Sequence, residues 1–205
     1  IAMMQAQLNP HFLYNTLDSV VWMARGGNDE GIIKMTLALT SYLKTSLNKG
    51  SDIIPLEKEI EHTASYLYIQ SIRYKDRFTY DIVVDPSLHG RIVPKLIVQP
   101  LVENAIYHGI KRKREPSHVT IRAWEENGLL HIDIADNGAG MTDERSEELR
   151  TALRSRDATE RVGFGVRNVN ERIRIMYGEA YTLTFESEEG MGTTFHIVIP
   201  EKEGG

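Results

Sequence analysis

The sequence predicts an α+β protein: an N-terminal helical hairpin that dimerises as a four-helix bundle, then helices layered on one face of a mixed, mostly antiparallel sheet. Three observations predict it. Two amphipathic stretches are separated by Gly26-Gly27-Asn28-Asp29. Several short segments downstream alternate apolar and polar residues with turn residues between them. Between those segments lies a run, Pro94 to about Tyr107, too apolar for one narrow stripe and therefore a largely buried helix.

Ile1 to about Ala24 reads as the first helix. At about 100° per residue, Leu8, Phe12, Leu13, Thr16, Leu17 and Val20 share one side, and Gln7, His11, Tyr14, Asn15 and Asp18 share the other. His11 is thus expected on the exposed polar face. Pro10 allows two readings of equal weight. Asn9 caps a helix beginning at Pro10, or a continuous helix kinks there at a cost of ~3 kcal/mol. The second helix runs to about Asn48, with Ile32, Met35, Leu39, Leu43 and Leu47 at steps of three to four, and Gly50 ends it. A single hairpin leaves apolar surface on both helices uncovered, so a second copy is expected to complete a four-helix bundle.

Asp52–Pro55 is a short extended connection, and Leu56 to about Tyr74 a third amphipathic helix on Leu56, Ile60, Ala64 and Leu67. Phe78–Val84 alternates as a strand, and Pro86–Gly90 turns. The buried helix follows, with Asn104 and His108 one turn apart on one face. Val119–Trp124 and Leu129–Ala135 form a hairpin around Asn127-Gly128. Thr142–Val162 is polar, with only Leu149 and Leu153 as helical anchors, and reads as a mobile loop. Gly165–Met176 is a helix; Tyr181–Glu186 and Thr193–Ile199 are closing strands. The division falls at about residue 52: dimerising helices over 1–52, and a second domain over 53–205 whose first helix, 56–74, acts as a linker.

At 205 residues with net charge −5, the chain has no overall electrostatic drive toward nucleic acid or anionic lipid. It has no cysteine, which excludes disulfides and thiolate metal sites and suits a reducing compartment. No apolar run is long enough to span a bilayer. It opens without a start methionine inside a helical pattern, which reads as a fragment of a longer protein.

Four stretches carry chemistry. Pro100–Ile110 (PLVENAIYHGI) presents Asn104, whose neutral amide oxygen suits a hard ion such as Mg²⁺. Asp136-Asn-Gly-Ala-Gly140 ends a strand in a carboxylate able to accept a hydrogen bond from an exocyclic amine. There Gly138 and Gly140 are expected to let backbone approach a base. Gly163-Phe-Gly165 enters a helix bearing Asn168 and Arg172, an arrangement that favours phosphate. Gln7-Leu-Asn-Pro-His11-Phe-Leu-Tyr-Asn15 holds a histidine, and imidazole is substantially neutral and nucleophilic at pH 7. Each stretch also has an ordinary explanation: core helix, Asp-Asn-Gly turn, hinge and capped surface histidine.

In order and spacing, Pro100–Ile110, Asp136–Gly140 and Gly163–Gly165 resemble the N, G1 and G2 boxes of the GHKL ATP-binding domains. Gln7–Asn15 resembles the phospho-acceptor box of LytS-type (YesM/YehU-like) sensor histidine kinases. The resemblance covers almost the whole chain. It implies a Bergerat-type α/β sandwich, Mg-ATP as substrate, autophosphorylation of His11, transfer to a response-regulator aspartate, a homodimer, and a membrane-bound sensor part in the parent protein with this portion on the cytoplasmic side. It implies Asn104 as the metal ligand, Asp136 as the adenine contact and 142–162 as a lid over nucleotide. Lys111, at the head of Lys111-Arg-Lys-Arg114, stands near the phosphates, and Thr194, beside Thr193, is placed where related kinases use a threonine on nucleotide. Phe12 follows the histidine where many kinases carry an acid, so the proton acceptor is open between Asp18 and Glu103. Asn15 stands where other families orient a water. Two other classes compete: an ATPase of the chaperone or topoisomerase kind, which places a glutamate where this chain has Pro100, and a non-catalytic nucleotide-sensing module.

Overall fold

The computed structural model describes residues 10–47, 51–75, 77–110, 116–155 and 163–201, and the side chains of residues 47 and 108–110 lie outside that description. Gln7, Leu8 and Asn9, the Lys111–Arg114 run and the far end of the expected lid, 156–162, also lie outside the described residues.

Helix α1 spans Pro10–Arg25, with Pro10 its first described residue. Gly27, at φ 68°, reverses the chain. Asn28 Oδ1 then accepts from Gly31 N at 2.9 Å and caps α2 (Asp29–Leu47), whose first turn carries Asp29 and Glu30. The short turn makes the two helices an antiparallel hairpin. Phe12, Thr16 and Met23 of α1 and Met35 and Tyr42 of α2 are buried. Leu17, expected on the buried side, is exposed. The hairpin's own partner helix is too narrow to cover it.

Strand β1 (Ile53–Pro55) leads into α3 (Leu56–Arg73), which packs on α2. Beyond the expected Leu56 and Leu67, α3 buries Glu59, His62 and Gln70. Strand β2 (Phe78–Val84) follows with the expected bounds. The buried helix differs from its predicted span. Pro94 belongs to β3 (Ile92–Pro94), which pairs antiparallel with β1. The chain then bends through Leu96, at φ 60°. Helix α4 (Gln99–Asn104) starts only after the bend and runs on into a π-helical turn, Ala105–Ile110. The cause is remote in sequence. The Glu59 carboxylate accepts from Leu96 N, Ile97 N and Val98 N, each at 2.9 Å. It thereby satisfies the free donors that a buried helix start leaves behind. Burial pushes the Glu59 carboxyl up, and these backbone donors oppose the shift.

The sheet contains β4 (Ser117–Glu126), β5 (Leu129–Asp136), β6 (Thr184–Glu188) and β7 (Gly192–Pro200), in the order β2-β4-β5-β7-β6. β2 and β4 run parallel; every other pair is antiparallel. Asn127 (φ 53°) and Gly128 (φ 77°) form the tight turn between β4 and β5. Alternate residues of β4, β5 and β7, among them Ile121, Ile132 and Phe195, make the core against the helices.

The expected loop over 142–162 is corrected. Residues Asp143–Arg154 form α5. Thr142 Oγ1 accepts from Arg145 N at 3.2 Å as an N-cap, and Asp143 and Glu144 favour the first turn. Leu149 and Leu153 are the anchors, and the small buried Ser146 and Ala152 complete the apolar face. Helix α6 (Phe164–Tyr177) packs beside α5. Its buried Asn170 donates to Leu153 O and accepts from Leu183 N, both at 2.9 Å, tying α5 to the approach of β6.

Candidate functional site

A cleft of about 930 Å³ opens where α1, α3, α4, the β5 turn and the starts of α5 and α6 converge. It brings together His11, Glu103, Asn104, Asp136, Gly140, Gly163 and Gly165. Asn15, Gly138, Asn168, Arg172 and Thr194 do not line it. The side chain of His108 and all of Lys111 lie outside the described residues.

The Asp136 end of the cleft is held by backbone. Asp136 is the last residue of β5 and is buried, and its Oδ1 accepts from Gly138 N at 2.8 Å. Gly140 has φ 62°, and a Cβ there would stand 1.8 Å from Glu188 O. Gly192 has φ 119°, and a Cβ there would stand 1.9 Å from Asp136 O. Two turns therefore interlock through two glycines, helped by Gly190 N to Ala139 O at 2.7 Å. The bareness of Gly140, read from sequence as room for a base, is taken up by the β6–β7 turn. The same turn sets which threonine faces the cleft. Thr193 lines it, its hydroxyl 2.9 Å from Ser187 Oγ, and strand alternation turns Thr194 to the other face of the sheet.

Gly163, at φ 62°, supplies the left-handed residue from which α6 starts with no side-chain cap. Gly163, Phe164, Gly165 and Val166 at its start line the cleft, the part of a helix whose N–H groups lack intrahelical acceptors. Arg172 of the same helix acts elsewhere. Burial holds the Lys95 ammonium down, Glu59 counters it, and the Arg172 charge adds to the lowering.

The α4 end is held by side chains of the helical layer. Gln99 Nε2 donates to Glu103 Oε1 at 2.7 Å and to Tyr42 Oη at 3.2 Å. The Tyr42 ring packs on Phe12 at 4.9 Å, and Phe12 on Tyr66 at 5.3 Å. The neighbour of His11 is thus linked to the neighbour of Asn104 through Tyr42 and Gln99. Burial pushes the Glu103 carboxyl up, against the Gln99 hydrogen bond. Burial and the Glu103 charge push Tyr42 up to about 12. Tyr42 also stacks on His62 at 4.8 Å, and His62 Nε2 lies 3.0 Å from Ser46 Oγ. Tyr42 and Gln99 carry no mark in the sequence reading, and of the two adjacent threonines it is Thr193, not the expected Thr194, that lines the cleft. Tyr42 reads there as one more core position, and the polarity of Gln99 beside Pro100 was the one available signal.

The donor set fits a hard ion shared with a ligand. Asn104 brings one neutral amide oxygen to the cleft wall beside the Glu103 carboxylate. Mg²⁺ takes few protein ligands and completes its octahedron with phosphate oxygens and water.

Residues 1–78 match the family described as "Histidine kinase", and residues 91–203 match "Histidine kinase-, DNA gyrase B-, and HSP90-like ATPase". The sensor histidine kinase YesM of Bacillus subtilis (strain 168) is 35% identical over 197 residues, covering 96% of this chain and 32% of YesM. The sensor protein LytS of Bacillus anthracis is 34% identical over 206 residues, covering 100% of this chain and 34% of LytS. The chain spans about a third of the length of the curated relatives it matches. Among solved structures, the catalytic domain of histidine kinase ThkA aligns with TM-score 0.53 and 18% identity, over 73% of this chain and 94% of that one. The histidine kinase domain of the Erythrobacter litoralis EL346 blue-light activated kinase aligns with TM-score 0.53 and 15% identity, over 94% and 93%. These two likenesses concern the fold.

Proposed function

Because the chain belongs to the histidine kinase family that carries a gyrase B- and HSP90-like ATPase module, we propose that it is the catalytic core of a two-component sensor. It transfers the γ-phosphoryl group of ATP to His11 and then to an aspartate on a response regulator. The observation that carries this reading is that His11 lines the same cleft as Asn104, Asp136 and the glycines that begin α6.

Each side chain has a task in that reading. Asp136 accepts a hydrogen bond from the adenine amine with the oxygen not committed to Gly138. The α6 start directs N–H groups at the phosphates. The Asn104 amide oxygen holds Mg²⁺, which when bound neutralises charge on the phosphates. His11, exposed at the start of α1, presents a ring nitrogen for in-line attack. Glu103 in its ionised form, made a stronger base by its burial, takes the ring's departing proton. Asn15, whose amide donates to His11 O one turn back, stands outside the cleft, on the helix that carries the acceptor. The helices over 1–52 form the phosphotransfer and dimerisation part and 53–205 the ATP-binding part.

The homodimer forms through the apolar stripes that α1 and α2 leave exposed, Tyr14, Leu17 and Val21 with Ile33 and Leu37. The parent protein is a membrane-anchored sensor and this part is its cytoplasmic portion. Among the described residues no helix is long and apolar enough to cross a membrane. Incubation with γ-labelled ATP and Mg²⁺ tests the reading. Acid-labile, base-stable label is expected on the chain and is expected to vanish in His11→Gln, with ATP affinity nearly unchanged. Normal labelling of that variant places the acceptor elsewhere.

A further inference from the structure

The transfer just described brings a multiply charged phosphoryl group toward His11, through a cleft whose described walls already hold the carboxylates of Glu103, Asp136 and Glu189. Charge of one sign in a half-desolvated site is costly unless a cation meets it. Among the described residues, two arginines line the cleft, Arg73 and Arg145. Arg145 stands on α5 with its side chain 48% exposed, and its Nη1 is engaged by Glu148 at 2.8 Å.

Arg73 is placed differently. Tyr66, Gln70 and Arg73 stand at i, i+4 and i+7 on α3, and all three line the cleft. The Tyr66 ring packs on Phe12, next to His11, and the Tyr66 hydroxyl accepts from Gln70 Nε2 at 2.8 Å. Arg73 therefore continues the row of α3 residues that line the cleft. Its guanidinium carbon lies 5.0 Å from the centre of the Tyr74 ring, a contact that supports the planar fork. Arg73 also sits in the last turn of α3, where any cation suits the helix dipole. That role needs neither a place in the cleft wall nor a fork.

We propose that Arg73 is a catalytic residue of the phosphoryl transfer, its guanidinium receiving the γ-phosphate in the cleft that His11 also lines. This rests on the kinase reading above. In the step it serves, a His11 ring nitrogen gives its lone pair to the γ-phosphorus. The bond from that phosphorus to the β–γ bridging oxygen breaks, ADP leaves with that electron pair, and the ring's remaining N–H proton passes to Glu103 or water. The Arg73 fork donates two N–H groups to phosphoryl oxygens throughout.

The test uses the whole chain and two readouts: the initial rate of His11 labelling, and the affinities for ATP and ADP by titration calorimetry. Arg73→Ala is expected to slow labelling by about 100-fold or more. It should leave ADP affinity within about threefold and cut the preference for ATP over ADP. Millimolar guanidinium is expected to restore part of the rate. Arg73→Lys keeps the charge that a dipole role needs but loses the fork, and should recover less than about a tenth of the rate. Should the alanine variant fail to fold, the lysine variant decides. Labelling within threefold of wild type in Arg73→Lys and, where it folds, Arg73→Ala overturns the proposal. A wild-type chain that never labels His11 defeats the kinase reading instead. In that case an ATP-over-ADP preference untouched by Arg73→Ala overturns the Arg73 assignment separately.

Discussion

The helical hairpin and the sheet differ in how completely they bury their own apolar residues. Ile121, Ile132, Phe195, Ile197 and Ile199 are all at 0% exposure, so the sheet and its helices close a core within one chain. The hairpin leaves Trp22 at 76% and Leu37 at 65%, with Tyr14, Leu17, Val21 and Ile33 also exposed. The sheet region closes its core by itself and spreads its exposed large apolar residues, Val83, Tyr107, Phe164, Ile175 and Met191, over several elements; the hairpin concentrates its own on two adjoining helices. The cleft lies at their meeting, so the acceptor histidine is carried by the part whose position depends most on what covers it. The Asp136 wall, by contrast, is fixed by interlocked backbone.

The largest effect is expected where the unfinished face is broken. Leu17→Asp with Val21→Asp puts charge on the α1 stripe, and in a symmetric dimer every change counts twice. Burial of such side chains contributes about 1.5–3 kcal/mol each, so the dimer dissociation constant should rise more than ~1000-fold. Sedimentation at micromolar concentration should show a monomer, while the sheet's unfolding midpoint stays put. A dimer that persists would mean that the exposed stripes are not its interface.

What was legible in the sequence follows the same line. Strands β2, β4, β5 and β7 were, because period-two alternation and local turns such as Asn127-Gly128 specify them without help; β6 starts at Thr184, three residues past the expected Tyr181, and the short β3 was not read as a strand. The cleft's polar markers were too, since Asn104, Asp136 and Gly163 are residue types that a buried helix or a strand end rarely carries without reason. The start of α4 was not legible. It is set by Glu59, a carboxylate 37 to 39 residues upstream whose role leaves no local trace. Helix α5 was missed because its apolar face is completed by Ser146 and Ala152, which carry no hydrophobic signal. Thr193 and Thr194 are a matter of face parity, which an uncertain strand start cannot decide. Arg73 reads as an ordinary last-turn cation until Tyr66, Gln70 and Arg73 are seen to line one cleft.

An intermediate effect is expected at the seam between the regions. His62 of α3 is fully buried against Tyr42 of α2. Burial first, then the nearby Lys95 charge, pulls it down to about 4 from an ordinary value near 6.5. Between these values the unfolded chain binds a proton that the folded chain does not. Stability is therefore whole above about pH 6.5 and lost as pH falls toward about 4. The slope approaches ~1.4 kcal/mol per unit, for a total of about 3 kcal/mol. His62→Phe keeps a ring on Tyr42 and removes the titration, so denaturation midpoints at pH 7, 5.5 and 4.5 should lose most of that acid slope. An unaltered slope would assign the acid loss to other groups.

The smallest effect is expected on the rigid side, and it isolates chemistry from position. Asp136→Asn preserves size and one carbonyl-type oxygen, so the Gly138 N–H keeps its acceptor and the interlock of Gly140 with Glu188 and Gly192 with Asp136 is untouched. The other atom changes from an acceptor to an NH₂ donor, directed at an adenine amine that is itself a donor. Losing a charge-assisted hydrogen bond costs on the order of 1.5–3 kcal/mol. ATP affinity should fall by roughly tenfold or more in a calorimetric titration. The unfolding midpoint should not move, because no backbone contact of the turn is lost. A fall in affinity accompanied by loosening of the turn would mean that this wall is held by the Asp136 charge and not by its glycines. An unchanged titration would remove Asp136 from the adenine site and leave the buried carboxylate as a turn residue.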